Sequence, residues 1–480
     1  MKVLMIVLNS VSNDNRVLKS AHSVNSLEHK VEIYGMSANK EVNTKPILER
    51  ISNLPVRLFP NPGHLLSGVK SRIHSWKFMI DYFVCSMSVY AEKMSPEVVY
   101  THDYNTIFIG KEIVKTLRSQ GKFVYWVHDL HEYVRGMTTT DDEIRVLALQ
   151  HEDECIHIPD CLITISPMLS EKLTQEYSLS TPPKILFNAP KYDRLNLNYE
   201  PTVRQVVSLE KDIPLVVYVG GVAKARGLYT AVDALPKLPG VHLVLVTNNK
   251  GNYVESLKLS AKSNECLDRL HIIPYVPPEM VSSFVRDATV AIHPMIHYPN
   301  AEIALPNKLF EYMHSGVPIV VSDCDSMGRF VRKWKVGEVF EAENTEDLAN
   351  VVRSVVDNRD AYIRHIREFS ILNQYFSWEN QGDFFNTLNQ DIQRKHQMFI
   401  EPSNSDLIQD RLEDSSSSDL FDLFYDPSLT NSLFSKYYYC CGKAQLNEGR
   451  LTEANESFYL SSKFGLLSDI VIPNKNGILF

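Results

Sequence analysis

Short, almost wholly apolar runs alternate with amphipathic helical stretches along most of this chain, and no other feature constrains its fold as tightly. KVLMIVLN (2–9), KVEIYGM (30–36), EVVYTHD (97–103), FVYWVHD (123–129), DCLITIS (160–166) and the short KILFNAP (184–190) read as strands. NRVLKSAHSVNSLE, TIFIGKEIVKTLRSQG and PMLSEKLTQEYS, lying among them, carry apolar residues at helical spacing. A strand that is apolar on both faces must be covered on both. Repeated β-α-β units of this kind therefore imply a parallel sheet between layers of helices.

The rhythm lapses over residues 191–212 and restarts at PLVVYVGG, continuing through VHLVLVT, RLHIIPYV, TVAIHPM, PIVVSD and GEVFEA. Two Rossmann-like doubly wound α/β domains are expected, residues 1–190 and 213–376, joined by a linker at 191–212 and facing a cleft. Ligands of open parallel sheets bind beyond the carboxyl ends of the strands, so polar residues that end strands are the first candidates. After residue 396 the composition changes. Residues 397–432 are acidic and Ser-rich, which reads as a linker. Residues 433–480 read as a helical hairpin in which Tyr438, Gly442, Ala454 and Phe458 match four tetratricopeptide positions, or do so by chance. One such hairpin cannot bury its own face, so it should dock on the main body, a second copy or another protein.

A chain of 480 residues holds about three units of roughly 150 residues. Its net charge of -9 argues against a nucleic-acid binder and weakens attachment to anionic membrane. Seven cysteines, odd in number and without a C-x-x-C pair, indicate neither a zinc site nor a disulfide framework. The N-terminus reads as a first strand, not a signal peptide, and no apolar run approaches the roughly 18 residues that span a membrane. A reduced, cytoplasmic protein is expected.

The chemistry concentrates in two places of the second half. In VYVGGVAKARGL a strand runs through Gly220 and Gly221 into a helix expected to begin near Arg226. Glycines let a phosphate approach the backbone, and Arg226 would add a forked cation at the helix mouth. ALPNKLFEYMHSGVPIVVSD repeats the device, with Pro306 at the helix start and Lys308 in its first turn. Two cations could then converge on one diphosphate, with Glu311 accepting hydrogen bonds from ribose hydroxyls. Asn307 and Leu309 flank Lys308 and complete the donor-binding candidates.

With these segments in order, the chain resembles retaining family 4 glycosyltransferases of GT-B fold, in the branch that carries a PNKLFEYM-type motif. YVGG…ARGL and the PNKLFEYM segment carry the likeness in the second half. SNDNRVLKSAHSVNSLEHKVEIYG, VVYTHDYNT, YWVHDLHEY, CLITISPMLSEKL and ILFNAP carry it in the first. FSWENQ resembles the start of the final helix, 377–396, that returns to the first domain. The resemblance implies metal-independent transfer from a nucleotide diphosphate sugar, UDP- or GDP-linked, to a glycan or lipid-linked acceptor, with no further cofactor. It implies that Arg226 stands for the family's phosphate-binding lysine, with Lys308 beside it, and that Glu311 is the second of a glutamate pair. It also implies that His128 touches the donor sugar. The first glutamate is replaced by Ile303, next to Glu302, and Gly221 stands where many relatives have arginine. A nucleotide-sugar epimerase of the same fold and a non-catalytic scaffold are the rivals.

In the first half His102, Asp103, His128 and Asp129 end two strands and should face the ligand, with Glu132 on the following loop as an acceptor contact. Asn13, Asp14 and Arg16 occupy the turn after the first strand, where relatives carry glycines. Asp323–Cys324–Asp325 spells the acid pair of metal-dependent transferases, but its place at a strand end in this pattern leads to no metal being expected. HLLSGVKSRIHSWKFMIDYFVCSMSVYAEKM mixes aromatic, aliphatic and basic residues at helical spacing. Core packing explains most of it. An interfacial helix that reaches a lipid-linked acceptor on the inner membrane face is the other reading.

Overall fold

The computed structural model describes residues 1–38, 46–66, 70–137, 141–191, 199–247, 251–368, 376–400, 472–474 and 477–479. The first group of apolar runs forms β1 (Lys2–Ile6), β2 (Lys30–Met36), β5 (Val98–His102), β6 (Tyr125–Asp129), β7 (Cys161–Thr164) and β8 (Lys184–Ile185). A hairpin of β3 (Ile47–Ile51) and β4 (Leu54–Phe59) joins them, and the sheet order is β3-β4-β2-β1-β5-β6-β7-β8. The hairpin escapes the sequence pattern because β3 is an exposed antiparallel edge with no continuous apolar run. Its turn residues, Ser52 and Asn53, take positive φ of 49° and 65°. β1 pairs in parallel with β2 on one side and β5 on the other, so the strand order reverses between β1 and β5.

The second group forms β9 (Leu215–Val219), β10 (His242–Val246), β11 (Leu270–Ile273), β12 (Val290–His293), β13 (Ile319–Ser322) and β14 (Gly337–Phe340). They make a parallel sheet in the order β11-β10-β9-β12-β13-β14. Alternate residues of β9 feed different cores. Val217 and Val219 pack in a cluster with Leu309 and Phe310, whereas Val216 and Tyr218 pack with Leu228 and Val232. That double burial is why the strand is apolar throughout. The order reverses between β9 and β12, and such a switch point opens a crevice beyond the carboxyl ends of the two strands.

The chain divides into two compact units, one of residues 1–128, 140–160 and 391–480, the other of 129–139 and 161–390. In the first, the helix Arg72–Met94 buries Trp76, Phe78, Ile80, Phe83 and Met87, so packing accounts for its apolar face. From residue 391 the helix Gly382–Ile400 also belongs to that unit, where the Tyr125 hydroxyl donates to Asp391 at 2.5 Å. In the second unit, the stretch expected to be a linker is structured from residue 199. Thr202 and Gln205 cap a short helix reciprocally, and Arg204 donates to the carbonyls of Glu210, Ile213 and Asp287. No helix among the described residues is long and apolar enough to cross a membrane. The hairpin expected over 433–480 lies outside the described residues, apart from a two-stranded antiparallel ribbon of Ile472–Asn474 and Gly477–Leu479.

Candidate active site

At the end of β9 the chain turns through Gly220 and Gly221 into a 3-10 turn of Lys224–Arg226, and the helix starts at Leu228, later than the sequence reading places it. Gly227 intervenes at φ 64°, and a Cβ there would lie 1.7 Å from the Pro294 carbonyl oxygen. The Ile296 N–H donates to the Ala225 carbonyl at 3.2 Å. The glycine turn is thus pressed against the segment that follows β12. Tyr218 bonds the turn from below, its hydroxyl donating to the Gly221 carbonyl at 2.8 Å. Half-buried Arg226 sets one guanidinium nitrogen 3.7 Å from the Met295 sulfur.

Pro306 caps the helix Asn307–Ser315, and Gly316 ends it at φ 72°. Leu309, Phe310, Tyr312 and Met313 are buried. Leu309 is therefore a core residue whose backbone alone borders the helix mouth. Lys308 Nζ lies 2.7 Å from Glu311 Oε2, and Asn307 Nδ2 donates to Glu311 Oε1 at 3.3 Å. The motif's cation and anion satisfy one another, with the Glu311 side chain only 6% exposed. Tyr312 ties this helix to the glycine turn, its hydroxyl accepting the Val219 N–H at 2.9 Å.

His293 ends β12. It is buried, stacks on the Tyr218 ring at 5.9 Å, and has no hydrogen-bond partner on either ring nitrogen among the described residues. Burial, then the charges of Arg226 and Lys308, push its pKa down to about 3, so the imidazole is neutral. Both candidate cations thus act on one buried ring at the switch point. The sequence reading passed over His293 and Tyr312. His293 ends an apolar run, TVAIH, as His102 and His128 end theirs, so the same rule could have found it.

In the first sheet, His102 ends β5 and His128 is the last residue but one of the neighbouring β6, and both are fully buried. His102 stacks on Tyr100, with ring centroids 4.6 Å apart. The Thr101 hydroxyl accepts the Trp126 indole N–H at 2.9 Å and lies 2.8 Å from His128 Nδ1. Thr101 and Trp126 are further residues the sequence reading missed. Asp103 takes a positive φ of 70° directly after β5. Asp129 is buried and Glu132 exposed, both in the second unit. Asp14 caps the helix Asn15–Ser26 through the Val17 N–H, while Asn13 is exposed and Arg16 buried. These three positions belong to a helix start.

Ile303, at the place of the family's first glutamate, is buried, and the Ser166 hydroxyl donates to its carbonyl at 2.8 Å. Glu302, next to it, is bonded through both carboxylate oxygens. One of its oxygens accepts the Asp325 N–H at 2.9 Å and the other lies 2.6 Å from His297 Nδ1. Beside these residues, within the second unit, an open pocket of about 430 Å³ is lined by Tyr133, Arg135, Lys172, Gln175, Glu302 and Ile303.

Residues 200–369 match the family of glycosyl transferases group 1. The chain is 22% identical over 295 residues to an uncharacterized glycosyltransferase of Methanocaldococcus jannaschii, covering 59% of this chain and 72% of that one. Among solved structures it is similar to sucrose-phosphate synthase from Thermosynechococcus elongatus, with a TM-score of 0.62 at 17% identity over 82% of this chain and 100% of that one. It is also similar to Anabaena HepE in complex with UDP and glucose, with a TM-score of 0.59 at 14% identity over 83% and 99% of the two chains. With that family region carried on a GT-B-like α/β fold, the chain is a glycosyltransferase.

Proposed function

We propose that the protein is a retaining, metal-independent glycosyltransferase of the family 4 type. It moves a hexose-type sugar from a UDP- or GDP-linked donor to a glycan or lipid-linked saccharide. In this reading residues 213–376 hold the donor and residues 1–190 the acceptor. The C1–oxygen bond to the diphosphate breaks, C1 bonds an acceptor hydroxyl on the same face, and the hydroxyl proton leaves with the diphosphate. Arg226 and Lys308 stabilise the charge that gathers on the departing oxygen, which in a water-poor site is commonly the largest catalytic contribution. The observation that carries this reading is that, within the region matching glycosyl transferases group 1, the Arg226 turn rests on the segment after β12 and is tied to the Lys308 helix through Val219 and Tyr312. The UDP and UDP-glucose complexes of HepE favour a uridine donor.

Incubation with UDP- and GDP-sugars and oligosaccharide or lipid-linked acceptors, followed by mass spectrometry, tests it. Transfer with retention, or slow donor hydrolysis without acceptor, is the expected result. Arg226→Ala and Lys308→Ala should each lower turnover by about 10²–10³-fold, the scale of losing one oxyanion-stabilising group. Unchanged turnover would remove their assigned role. A scaffold reading has one observation behind it, the absence of a free carboxylate at Ile303 and Glu302. Nucleotide binding by calorimetry without turnover of any donor would favour it, and isomerised donor without acceptor would identify an epimerase.

A further inference from the structure

We propose that His297, Glu302 and Cys324 bind one zinc-class divalent cation, with Asp323 as the carboxylate partner of the histidine. The three residues come from separate segments. His297 follows β12, Glu302 sits on the short helix Pro299–Ile303, and Cys324 follows β13. One ligand atom from each lies within 4.8 Å of the others.

Each of these ligands already has the outer contact that a metal site requires. His297 Nε2 is 3.0 Å from Asp323 Oδ1, which leaves Nδ1 as the ligand nitrogen facing Glu302. Glu302 Oε2 accepts the Asp325 N–H at 2.9 Å, which leaves Oε1 on the inner side. Burial holds the free Cys324 thiol up at about 11, and the Ser322 hydroxyl, which donates toward Sγ at 3.5 Å, is the contact a metal-bound thiolate would keep.

Tetrahedral zinc holds its ligand atoms about 3.3–3.8 Å apart. Glu302 and His297 must therefore separate from 2.6 Å while the sulfur closes in. The His297 side chain is 50% exposed and that of Glu302 33%, so they can move and the ion can enter from solvent. A thiolate, an imidazole and one carboxylate oxygen suit zinc or cobalt and disfavour magnesium and calcium, which seek all-oxygen sets. On binding, the thiol proton and the Nδ1 proton pass to solvent, and water fills the fourth position. The ion would tie the segment leading into Lys308 to the turn after β13. Sugar transfer as proposed above needs nothing from it.

Chelator-stripped full-length protein, kept reduced, is titrated with zinc by calorimetry and with cobalt by absorption. One equivalent of zinc, with a near-ultraviolet thiolate-to-cobalt band and the visible bands of tetrahedral cobalt, is expected. His297→Ala and Cys324→Ser should each weaken zinc binding at least tenfold and remove the thiolate band or its tetrahedral pattern, while Cys266→Ser keeps both. No stoichiometric uptake overturns the proposal, as does uptake unchanged in both site variants. The imidazole would then only bridge two carboxylates. His297→Ala alters a half-exposed side chain, so the test survives should Cys324→Ser fold poorly. Metal uptake is read without any sugar transfer, so its failure leaves the transferase reading standing, and the converse holds.

Discussion

At the scale of single residues, His293 carries the most physical information. A buried imidazole with no hydrogen-bond partner is costly, and burial, then the charges of Arg226 and Lys308, opposes the protonation that would give it more donors. The consequence for stability has a definite sign. An unfolded histidine titrates near its ordinary value of 6.5, whereas this one titrates at about 3. Between those values the unfolded chain binds a proton that the folded chain refuses, so stability present above pH 6.5 is lost as the pH falls. From pH 7 to pH 5 the loss is about 2 kcal/mol. Urea unfolding of the wild type and of His293→Phe at both pH values measures it, since His151 and His314, also depressed by burial, titrate alike in both proteins and cancel. Equal losses in the two proteins would show that the ring ionises freely in the fold.

Among elements, the glycine turn and the helix after Pro306 were legible because they obey local rules. A Gly-Gly after an apolar strand, a proline before a helix and a glycine behind it require no tertiary knowledge. What those rules do not reveal is how the elements grip one another. Tyr312 holding the Val219 N–H, and Thr101 joining Trp126 to His128, depend on register between segments far apart in the chain. The same holds for Arg204, whose guanidinium gathers backbone carbonyls and turns an apparently patternless linker into packed structure. Glycines separate these cases experimentally. Gly240 and Gly227 have φ of 74° and 64°, yet a Cβ at 240 meets open space and one at 227 meets the Pro294 carbonyl. Gly240→Ala should cost about 1–2 kcal/mol, the left-handed backbone penalty alone. Gly227→Ala should cost more and displace Arg226, so that thermal denaturation and nucleotide affinity fall together. Equal costs at the two sites would mean that the turn does not rest on the β12 segment.

Over the whole molecule, the two parallel sheets, the order of their buried strands and the placement of polar residues at strand ends were all readable, because a parallel strand buried on both faces leaves an apolar signature. The edge hairpin was not, since an exposed strand carries no such signature. Nor was the commitment of Glu302, which depends on where Asp325 lies in space. The two switch points, between β1 and β5 and between β9 and β12, follow from the strand orders and put the candidates of each sheet at a crevice. In the second sheet the free protein keeps its ammonium occupied, since Lys308 is paired with a nearly buried Glu311. A diphosphate arriving beside Arg226 would share that ammonium, and binding to the folded state alone would stabilise it by about 2.7 kcal/mol at a hundredfold excess over Kd. A thermal-shift series with UDP, GDP and their sugars should therefore raise the melting temperature with one base preferred. Lys308→Ala leaves Glu311 buried without its counter-charge, so it should melt lower even without ligand. It should also lose most of the nucleotide shift, whereas Lys258→Ala, whose ion pair with Glu255 is exposed, should keep both baseline and shift. A Lys308→Ala protein that melts low but retains the full nucleotide shift would make the Lys308–Glu311 pair a structural device and move the donor's phosphates elsewhere.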